Sequence, residues 1–414
     1  MTTPDTARLP WDAADPYPYY ERRRLEGDVV WDEATGNWLI LGYHAAQQVL
    51  GSADWTSDLA ANPTAAPLLR VTDPELLHRN MLSADGVNHR RLRDAVRDVF
   101  TRSFVAGLQE GVDAIAAATI DTIPADTPFD FMAEIALPLP IAVASAWLGL
   151  DIDAARLLRE ESPAIARMLS DISDPGAIEQ GAAALATLLT EFLPLAADRR
   201  AHPDDDLLSF IATATDLELD DVVVTAVIIA VAGHETTANL LGAAMIRLLA
   251  LEGVPAVDTA LVTELLRLDG PVQAVGRTAS RDQTVEDVTI HKGDPALVVL
   301  ASANRDPKIF NASNRFNVNR TGPAPLSFGY GAHYCLGAAL ARLEMTTALK
   351  RILARAPTMS GIPVWRDTPA IRGPQSLSVT FGQPPTSARP DANKSNASPS
   401  DTANDADSSA SQYS

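Results

Sequence analysis

The chain has 414 residues, of which 46% are hydrophobic, and its formal net charge is −20 at pH 7. This charge argues against a nucleic-acid partner, because phosphate binding needs a basic surface. The apolar content is ample for a deep core that surrounds a large ligand. The length alone fits roughly two or three average domains or one large domain.

The sequence contains no segment typical of a secretory leader or a membrane anchor. Residues 1–30 lack an apolar core and carry a charged run at residues 21–24. Residues 131–150 are apolar over about the length of a membrane span, but Glu134 and two prolines interrupt them. We interpret this stretch, and the shorter residues 222–233, as buried core. The single cysteine fits a reducing compartment, so we predict a cytoplasmic protein without membrane contact.

The predicted elements are mostly helical. Near the N-terminus, two short apolar runs flank Ala34-Thr35-Gly36, which is the pattern of a β-hairpin. Helical periodicity then dominates, over residues 44–50, 88–100, 104–123, 154–169, 177–197, 219–251, 258–268 and 338–356. Short strands are predicted over residues 283–291, 295–300 and 377–381. Long helices with a minor, peripheral β part indicate a mainly α (α+β) fold.

The composition changes once along the chain. From residue 383 the sequence is rich in Ser, Ala, Asn, Asp and Pro without periodicity, which predicts a disordered C-terminal tail over residues 383–414. No repeat or linker divides residues 15–382, so we predict a single domain there. Residues 1–14 are predicted to form an N-terminal extension.

The predicted helix over residues 219–251 carries an unusual motif, residues 232–237 (AGHETT), after a segment that is apolar on every side. A glycine, an acid and two hydroxyls run against helix propensity, and such a break in a buried helix is typical of a functional site. Gly233 leaves room for a flat ligand, and Thr236 can bond a carbonyl of the preceding turn. Glu235 can pass protons inward. The alternative is a helix kinked for packing, with Glu235 reaching solvent.

Cys335 is the single cysteine, and it lies in a glycine-rich loop, residues 328–337 (FGYGAHYCLG). One cysteine forms neither an intramolecular disulfide nor a zinc or iron–sulfur site, which need several ligands. A thiolate can, however, be the sole protein ligand of a haem iron. The glycines let the backbone approach the sulfur, and the helix that opens at Ala338 favours the anion. The alternative is a buried structural cysteine.

Several charged residues have no partner that the sequence reveals. His89 and Arg93 share one helix face, a spacing that suits a carboxylate or a phosphate. Glu264 and Arg267 stand at i, i+3 on a predicted helix. Each pair also fits an ordinary solvated helix surface, so neither identifies a site by itself.

Together, these segments resemble the cytochrome P-450 family of haem-thiolate monooxygenases, specifically its soluble bacterial branch. Residues 328–337 fill the haem-binding loop F-G-x-G-x-H-x-C-x-G, and residues 232–237 match A-G-x-E-T-T. Glu264 and Arg267 match the E-x-x-R pair. The order and separations agree, and the resemblance runs from about residue 15 to residue 382.

The resemblance implies a role for each of these residues. Cys335 would be the proximal ligand of the iron of haem b (heme b). Glu235 and Thr236 would be the catalytic acid–alcohol pair that delivers protons, while Glu264 and Arg267 would form a structural triad with Arg315. The cofactor-binding set would be His89, Arg93, Gly233, Arg277, Phe328, His333, Cys335 and Gly337, with His89, Arg93, Arg277 and His333 on the haem propionates.

The sequence departs from the family pattern in two loops. Asp85-Gly86-Val87 stands where a turn with proline is usual. Ser313 and Asn317 replace a common proline and a frequent aspartate beside Arg315. These differences from the family pattern affect the expected shape of the two loops and the role expected for Arg315. They do not affect the expected iron ligand.

The resemblance also implies a reaction and partners. The enzyme would insert one oxygen atom from O2 into a small molecule, and azole-type inhibitors would coordinate the iron. No nicotinamide or flavin fingerprint such as G-x-G-x-x-G appears, so electrons from NAD(P)H would come through an external ferredoxin and ferredoxin reductase. We expect a monomer with a local basic patch that docks the acidic donor. Candidates for this patch are Arg90, Arg91, Arg97 and Arg342.

The substrate is expected to be neutral and largely hydrophobic, because the predicted pocket walls carry few charges. These walls are residues 64–83, 163–190, 230–237, 271–275 and 375–377. Two alternatives remain open for the function. One is a haem-thiolate enzyme that uses peroxide directly or rearranges its substrate without O2. The other is a non-catalytic haem sensor or binding protein.

Overall fold

The computed structural model describes residues 11–70, 77–171, 174–368 and 370–382. The predicted disordered tail, residues 383–414, and residues 1–10 of the predicted extension lie outside the described residues. The rest of that extension belongs to the packed body. The ring of Trp11 lies 5.5 Å from the rings of Tyr19 and Tyr20. Packing therefore includes Trp11 rather than beginning at residue 15.

Helices account for most of the described chain. The α-helices are α1 (Tyr17–Glu26), α2 (Tyr43–Gly51), α3 (Ala66–Leu69), α4 (Gly86–Asp94), α5 (Arg102–Gly107), α6 (Gln109–Ile120), α7 (Pro138–Trp147), α8 (Ile152–Ser170), α9 (Pro175–Ala201), α10 (Leu207–Ala212), α11 (Leu219–Leu249), α12 (Thr259–Asp269), α13 (Leu300–Ala303) and α14 (Ala338–Leu353). A π-helical turn, Met132–Ala136, precedes α7. The predicted mainly α (α+β) fold is confirmed.

The strands form small sheets at the periphery. They are β1 (Val29–Asp32), β2 (Asn37–Ile40), β3 (Trp55–Thr56), β4 (Pro128–Asp130), β5 (Val275–Ala279), β6 (Gln283–Val285), β7 (Val288–Ile290), β8 (Pro295–Val298), β9 (Thr358–Met359), β10 (Val364–Trp365), β11 (Pro374–Ser376) and β12 (Ser378–Thr380). The largest sheet has the order β1-β2-β8-β5-β3, in which only β2 and β8 are parallel among the described strands. Strands β4, β12 and β9 form a second sheet, and β6–β7 and β10–β11 are two-stranded.

Local sequence signals place many of these elements correctly. The predicted hairpin is β1 and β2, which pair Val29 with Ile40 in antiparallel register. Gly36 in its turn has a φ of +64°, which favours glycine because a side chain is rarely accommodated there. The periodicity over residues 219–251 corresponds to α11, and that over residues 338–356 to α14.

Three predicted elements are wrong in detail. The helix predicted over residues 88–100 ends at Asp94, because the backbone turns non-helical at Val96, where φ is −121°. Residues 104–123 form two helices, α5 and α6, that separate just after Gly107, a weak helix former. The single strand predicted over residues 283–291 is the hairpin β6–β7, which turns at Glu286 with a φ of +50°.

Helix α11 runs through the centre of the helical body and joins its two apolar cores. The N-terminal half, Val222–Val231, packs in one cluster with α8 and α9. The C-terminal half, from Ala238 to Leu248, packs in a second cluster with α6, α12 and α14. The motif at residues 232–237 therefore lies where the two cores meet.

Two of the described helices, α9 and α11, are long and apolar enough to cross a membrane by length and composition. In α11, 78% of the most apolar window is buried inside the protein, against 33% in α9. Helices in the core of a globular protein are as apolar as membrane-spanning helices. The packing of α11 between two apolar clusters accounts for its apolar composition. The stretch over residues 131–150 is also core, as predicted: Phe131, Met132 and Leu139 are fully buried.

Candidate active site

One face of α11 stays uncovered in an otherwise buried helix. Between residues 221 and 245, the residues that are not buried are Ile229, Ala232, Gly233 and Thr236. Their spacing of i, i+3, i+4 and i+7 places them on one stripe of the helix. A Cβ atom added to Gly233 would meet nothing within 4 Å. This stripe therefore borders an open space that can accept a flat ligand against the backbone.

The acid and the alcohol of the motif have defined partners. The Thr236 hydroxyl donates to the carbonyl oxygen of Ala232 at 2.8 Å, which is the bond to the preceding turn that we expected. Glu235 is only 3% exposed, so the alternative in which it reaches solvent is wrong. Arg366 donates to Glu235 Oε2 at 2.7 Å, and the Asn239 side chain donates to the Glu235 backbone carbonyl at 2.8 Å.

The cysteine loop is shaped by two glycines with left-handed backbone. Gly329 and Gly331 both have a φ of +74°. A Cβ atom on Gly331 would lie 2.3 Å from the carbonyl oxygen of Leu50, so no other residue fits there without displacing α2. The Cys335 amide donates to the carbonyl oxygen of Phe328 at 2.8 Å and closes the loop. Cys335 is thereby fixed directly before α14.

Two residues of the cysteine loop pack against the two apolar clusters that α11 joins. Leu336 packs against the apolar cluster that contains the N-terminal half of α11. Phe328 packs against the cluster that contains its C-terminal half. Helix α14, which begins directly after this loop, also contacts α11, so the loop borders the same two clusters that α11 joins.

The electrostatics of Cys335 differ from the expectation. Burial raises the pKa of the Cys335 thiol, and this outweighs the lowering by the Gly337 backbone hydrogen bond and by the charge of Arg93. The protein alone thus favours the neutral thiol, contrary to our argument from the helix dipole. A bound metal ion deprotonates a coordinating thiol, so the site becomes anionic when a metal is present.

Four side chains with N–H donors, two histidines and two arginines, lie in the cysteine loop or beside it. The His89 and His333 rings lie 4.1 Å apart, and Arg93 donates to the carbonyl oxygen of Tyr334 at 2.5 Å. Burial, together with the charges of His333, Arg93 and Arg277, lowers the pKa of His89 to about 4. Burial also lowers the pKa of Arg277. The structure therefore brings together His89 and Arg93 of α4, Arg277 of β5 and His333 of the cysteine loop, which are three separate segments of the chain.

His333 has an additional partner that the sequence did not suggest. Its Nε2 lies 3.0 Å from Asp85 Oδ1 and 3.3 Å from the Ser57 hydroxyl. Burial would raise the pKa of Asp85, but hydrogen bonds from His333, Thr56 and Ser57 lower it to about 2. Asp85 belongs to the turn that differs from the usual proline-containing turn of the family. Its carboxylate thus holds the His333 ring in place.

Glu264 and Arg267 form a buried, bidentate ion pair, 3% and 2% exposed. Arg267 Nε and Nη2 donate to the two Glu264 carboxylate oxygens at 2.8 Å each. The predicted third member, Arg315, has an exposed side chain and contributes only its carbonyl oxygen, to Arg267 at 3.2 Å. The arginine whose side chain lies next to Glu264 is Arg320, at 3.4 Å. We therefore correct the triad to Glu264, Arg267 and Arg320.

This ion pair is connected to the cysteine loop through residues that no motif marks. Arg267 donates to the carbonyl oxygen of Asn304 at 2.9 Å, and Asn304 Oδ1 accepts from the Leu326 amide at 2.6 Å. The Ser327 hydroxyl donates to the carbonyl oxygen of Leu266 at 2.7 Å. The pair thus supports the start of the loop that carries Cys335.

The donor set fits a haem. Within the part of the chain that the structure describes, buried His89 Nε2 has no hydrogen-bond partner, so it is available to a propionate oxygen. Arginine and imidazole N–H groups are suitable donors for two carboxylates. One thiol, an uncovered glycine face and four convergent donors are the features that a haem with a cysteine ligand needs.

Comparisons with known proteins agree with this geometry. The sequence pattern of the cytochrome P450 family matches residues 255–355. The chain is 35% identical over 397 residues to the cytochrome P450 monooxygenase PikC of Streptomyces venezuelae. The aligned region covers 89% of this chain and 92% of PikC. The chain belongs to the cytochrome P450 family. It is therefore a haem-thiolate monooxygenase of the bacterial branch, which confirms the resemblance read from its motifs.

Other relatives match a similar share of this chain. The vitamin D(3) 25-hydroxylase of Pseudonocardia autotrophica is 31% identical over 401 residues, 89% of this chain and 94% of that protein. The crystal structure of Mycobacterium smegmatis CYP164A2 superposes with a TM-score of 0.80 at 29% identity, covering 89% of this chain and 97% of that one. Almost the whole length of these P450s is thus represented in this chain.

Proposed function

We propose that this P450 inserts one oxygen atom from O2 into a neutral, largely hydrophobic small molecule, with electrons from a ferredoxin and a ferredoxin reductase. The observation that carries this proposal is the uncovered stripe of α11, which joins an apolar surface to the Glu235–Thr236 pair. The proposal includes a cytoplasmic monomer, in keeping with a single free cysteine.

Each predicted site residue has a part in this proposal. Haem b, when bound, supplies the oxygen chemistry. Cys335 would hold the iron, and Gly233, Gly337 and Phe328 would lie against the macrocycle or the sulfur. The propionates would be held by the four convergent donors, His89, Arg93, Arg277 and His333. Glu235 would take up protons and Thr236 would pass them to the uncovered face of α11.

The stripe beside Thr236 supports a neutral substrate. Ile229 and Ala232 lie on it and carry no charge, so an ionic ligand would lose its hydration there without gaining a partner. The ligands bound in similar P450 structures differ widely. A mutant of P450 EryK was solved in complex with erythromycin B, and P450BioI in complex with a hexadec-9Z-enoic acid-ligated acyl carrier protein. These ligands favour a bulky, mostly apolar compound as a class rather than any one molecule.

Azole-type inhibitors are also expected to bind. CYP164A2 was solved with econazole bound, at 29% identity to this chain and a TM-score of 0.79. The uncovered face of α11 at Gly233 leaves room for such a ring. We therefore propose azoles as probes for titration of the site.

The experiment that tests the proposed function uses isotopically labelled dioxygen. Purified holoenzyme, ferredoxin, reductase and NAD(P)H are incubated with a panel of neutral apolar compounds, and the products are analysed by mass spectrometry. We expect one labelled oxygen atom per product, and no product when the reductase is omitted. Turnover that proceeds equally well with peroxide alone would support the peroxide-using alternative. Tight ligand binding without product under any donor would support a sensor.

The electron donor is proposed to dock on a local basic patch near Cys335. Of the predicted residues, Arg90 and Arg97 are exposed, on α4 and on the turn that follows it. Arg91 is instead ion-paired with buried Asp221 at 2.7 Å. Arg102 on α5 is a further exposed cation, which was not among the predicted residues. Arg342, which the sequence suggested, is half-buried: it donates to the Thr263 hydroxyl and lies 5.2 Å from the Phe328 ring. It therefore supports the loop rather than presenting a free charge.

Charge reversal at Arg97 tests this patch. We expect Arg97→Glu to slow reduction by the donor about tenfold at low ionic strength, because steering by surface charge changes association rates by at least this factor. The difference should vanish near about 1 M salt. Stopped-flow reduction under carbon monoxide measures the rate. Arg156→Glu is the control, since Arg156 is similarly exposed and pairs with an aspartate three positions away, Asp153, as Arg97 does with Asp94. Arg97 also lies 3.5 Å from Asp98. Equal rates for both variants would remove Arg97 from the docking surface.

A further inference from the structure

The carboxylate of Glu235 is connected to the protein surface by a single arginine side chain. Arg366 Nη1 donates to Glu235 Oε2 at 2.7 Å. The Arg366 side chain is 25% exposed, whereas that of Glu235 is 4% exposed. The guanidinium therefore spans from solvent to the buried acid. It comes from the segment just after β10, far from α11 in sequence.

Each side chain of this ion pair has one polar atom without a hydrogen-bond partner in the described part of the chain. Glu235 Oε1 is buried and has no hydrogen-bond partner among the described residues, and the same holds for Arg366 Nε. Glu235 Oε2 has a further neighbour, Asn239 Nδ2, at 3.4 Å. One carboxylate oxygen is thus fixed by two donors while the other is left free to accept a proton.

A glycine in the same segment keeps this arrangement tight. The Arg366 amide donates to the carbonyl oxygen of Gly373 at 3.1 Å, which fixes the backbone that carries the arginine. A Cβ atom on Gly373 would lie 2.1 Å from Asn239 Oδ1. Asn239 is fully buried, so it has no room to withdraw. Arg366, Gly373, Asn239 and Glu235 thus form one closed set of contacts.

We propose that Arg366 is a positioning residue for proton delivery by Glu235. Its hydrogen bond fixes Oε2 of the buried carboxylate, so that the unpartnered Oε1 takes up the proton, which is supplied by water at the exposed end of the Arg366 side chain. Glu235 then gives this proton to the Thr236 hydroxyl as that hydroxyl releases its own toward the uncovered face of α11. The carboxylate is restored and no net charge is left behind. This inference rests on the proposed function of the Glu235–Thr236 pair.

The first test is a double-mutant cycle on the holoenzyme with Glu235→Gln and Arg366→Gln. Unfolding by denaturant measures whether the two side chains are coupled, and this readout does not depend on turnover. We expect each single variant to lower the unfolding midpoint, and the double variant to lie closer to the single variants than to their sum. Additive shifts would show that the pair is not coupled and would overturn the proposal.

The second test distinguishes a role of Arg366 in positioning Glu235 from a role in stabilising the fold alone. We expect Arg366→Gln to lower the ratio of product to NADPH consumed about tenfold and to increase the solvent deuterium isotope effect, because Glu235 is no longer held for proton transfer. Arg366→Lys keeps the charge and should recover part of the ratio. It also provides a usable variant if Arg366→Gln folds poorly.

Arg372→Gln is the matched control in the same segment. The Arg372 guanidinium lies 3.9 Å from the centre of the Trp365 ring and donates to the carbonyl oxygen of Ala14. Among the hydrogen bonds and ion pairs of the described residues, none joins Arg372 to Glu235. We expect it to change stability but not the isotope effect. If Glu235→Gln uncouples turnover while Arg366→Gln does not, the role of Arg366 is overturned and the proposed function stands. If Glu235→Gln has no effect either, the proton role of Glu235 in the proposed function fails.

Discussion

Replacing Arg267 by Met is expected to lower the free energy of unfolding by about 3–5 kcal/mol, the usual effect of removing one partner from a buried ion pair. Glu264 would remain buried without its bidentate partner. The carbonyl oxygens of Asn304 and Ser313 would lose a charged donor as well. Because Asn304 holds the start of the cysteine loop, we also expect reduced haem content. Denaturant unfolding and the haem-to-protein ratio measure the two effects.

Arg281→Met is the control for this prediction. The Arg281 side chain is 70% exposed in its pair with Asp54, and exposed pairs contribute about 0–1 kcal/mol. Arg267→Lys should rescue little, since an ammonium does not reproduce the bidentate contact. If Arg267→Met is no less stable than Arg281→Met, then the buried pair does not support the loop.

Replacing Thr236 by Ala is expected to reduce the ratio of product to NADPH consumed by at least about tenfold. A positioned proton donor contributes roughly 10²–10⁴-fold to a rate. NADPH should still be consumed, with the electrons appearing as peroxide or water, because Thr236 is not needed for haem ligation. Parallel measurement of NADPH, product and peroxide checks this expectation.

Thr237→Ala is the matched control on the next position of the helix. Thr237 is 3% exposed and lies off the uncovered stripe, so its hydroxyl does not face the ligand space. We expect nearly normal coupling for it, and recovery of coupling in Thr236→Ser. Equal loss in Thr236→Ala and Thr237→Ala would mean that the helix is disturbed as a whole and that Thr236 has no special role.

Much of the fold and of the candidate site was predictable, because the sequence signals for them are local. The helical period over residues 219–251 and the glycine-rich loop around Cys335 are each read within a short window. The bond from Thr236 to Ala232 follows from helix geometry alone. These features identify the family, and with it the fold and the cofactor.

The parts that could not be predicted depend on which distant segments meet. Arg320 rather than Arg315 lies beside Glu264, because the path of the loop decides which of two nearby arginines turns inward. No pattern links Arg366 to Glu235, which is 131 positions away. Asp85 likewise meets His333 only in the folded chain. For such contacts the sequence offers candidates, and tertiary packing selects among them.

Every role proposed for the site depends on Cys335 ligating a haem iron as a thiolate. The most direct measurement is the absorption spectrum of the dithionite-reduced holoenzyme before and after addition of carbon monoxide. We predict the strongly red-shifted Soret band of haem-thiolate proteins, lost in Cys335→Ala and moved in Cys335→His. A haem spectrum without that shift would contradict thiolate ligation, and a protein that binds no haem would contradict the whole account.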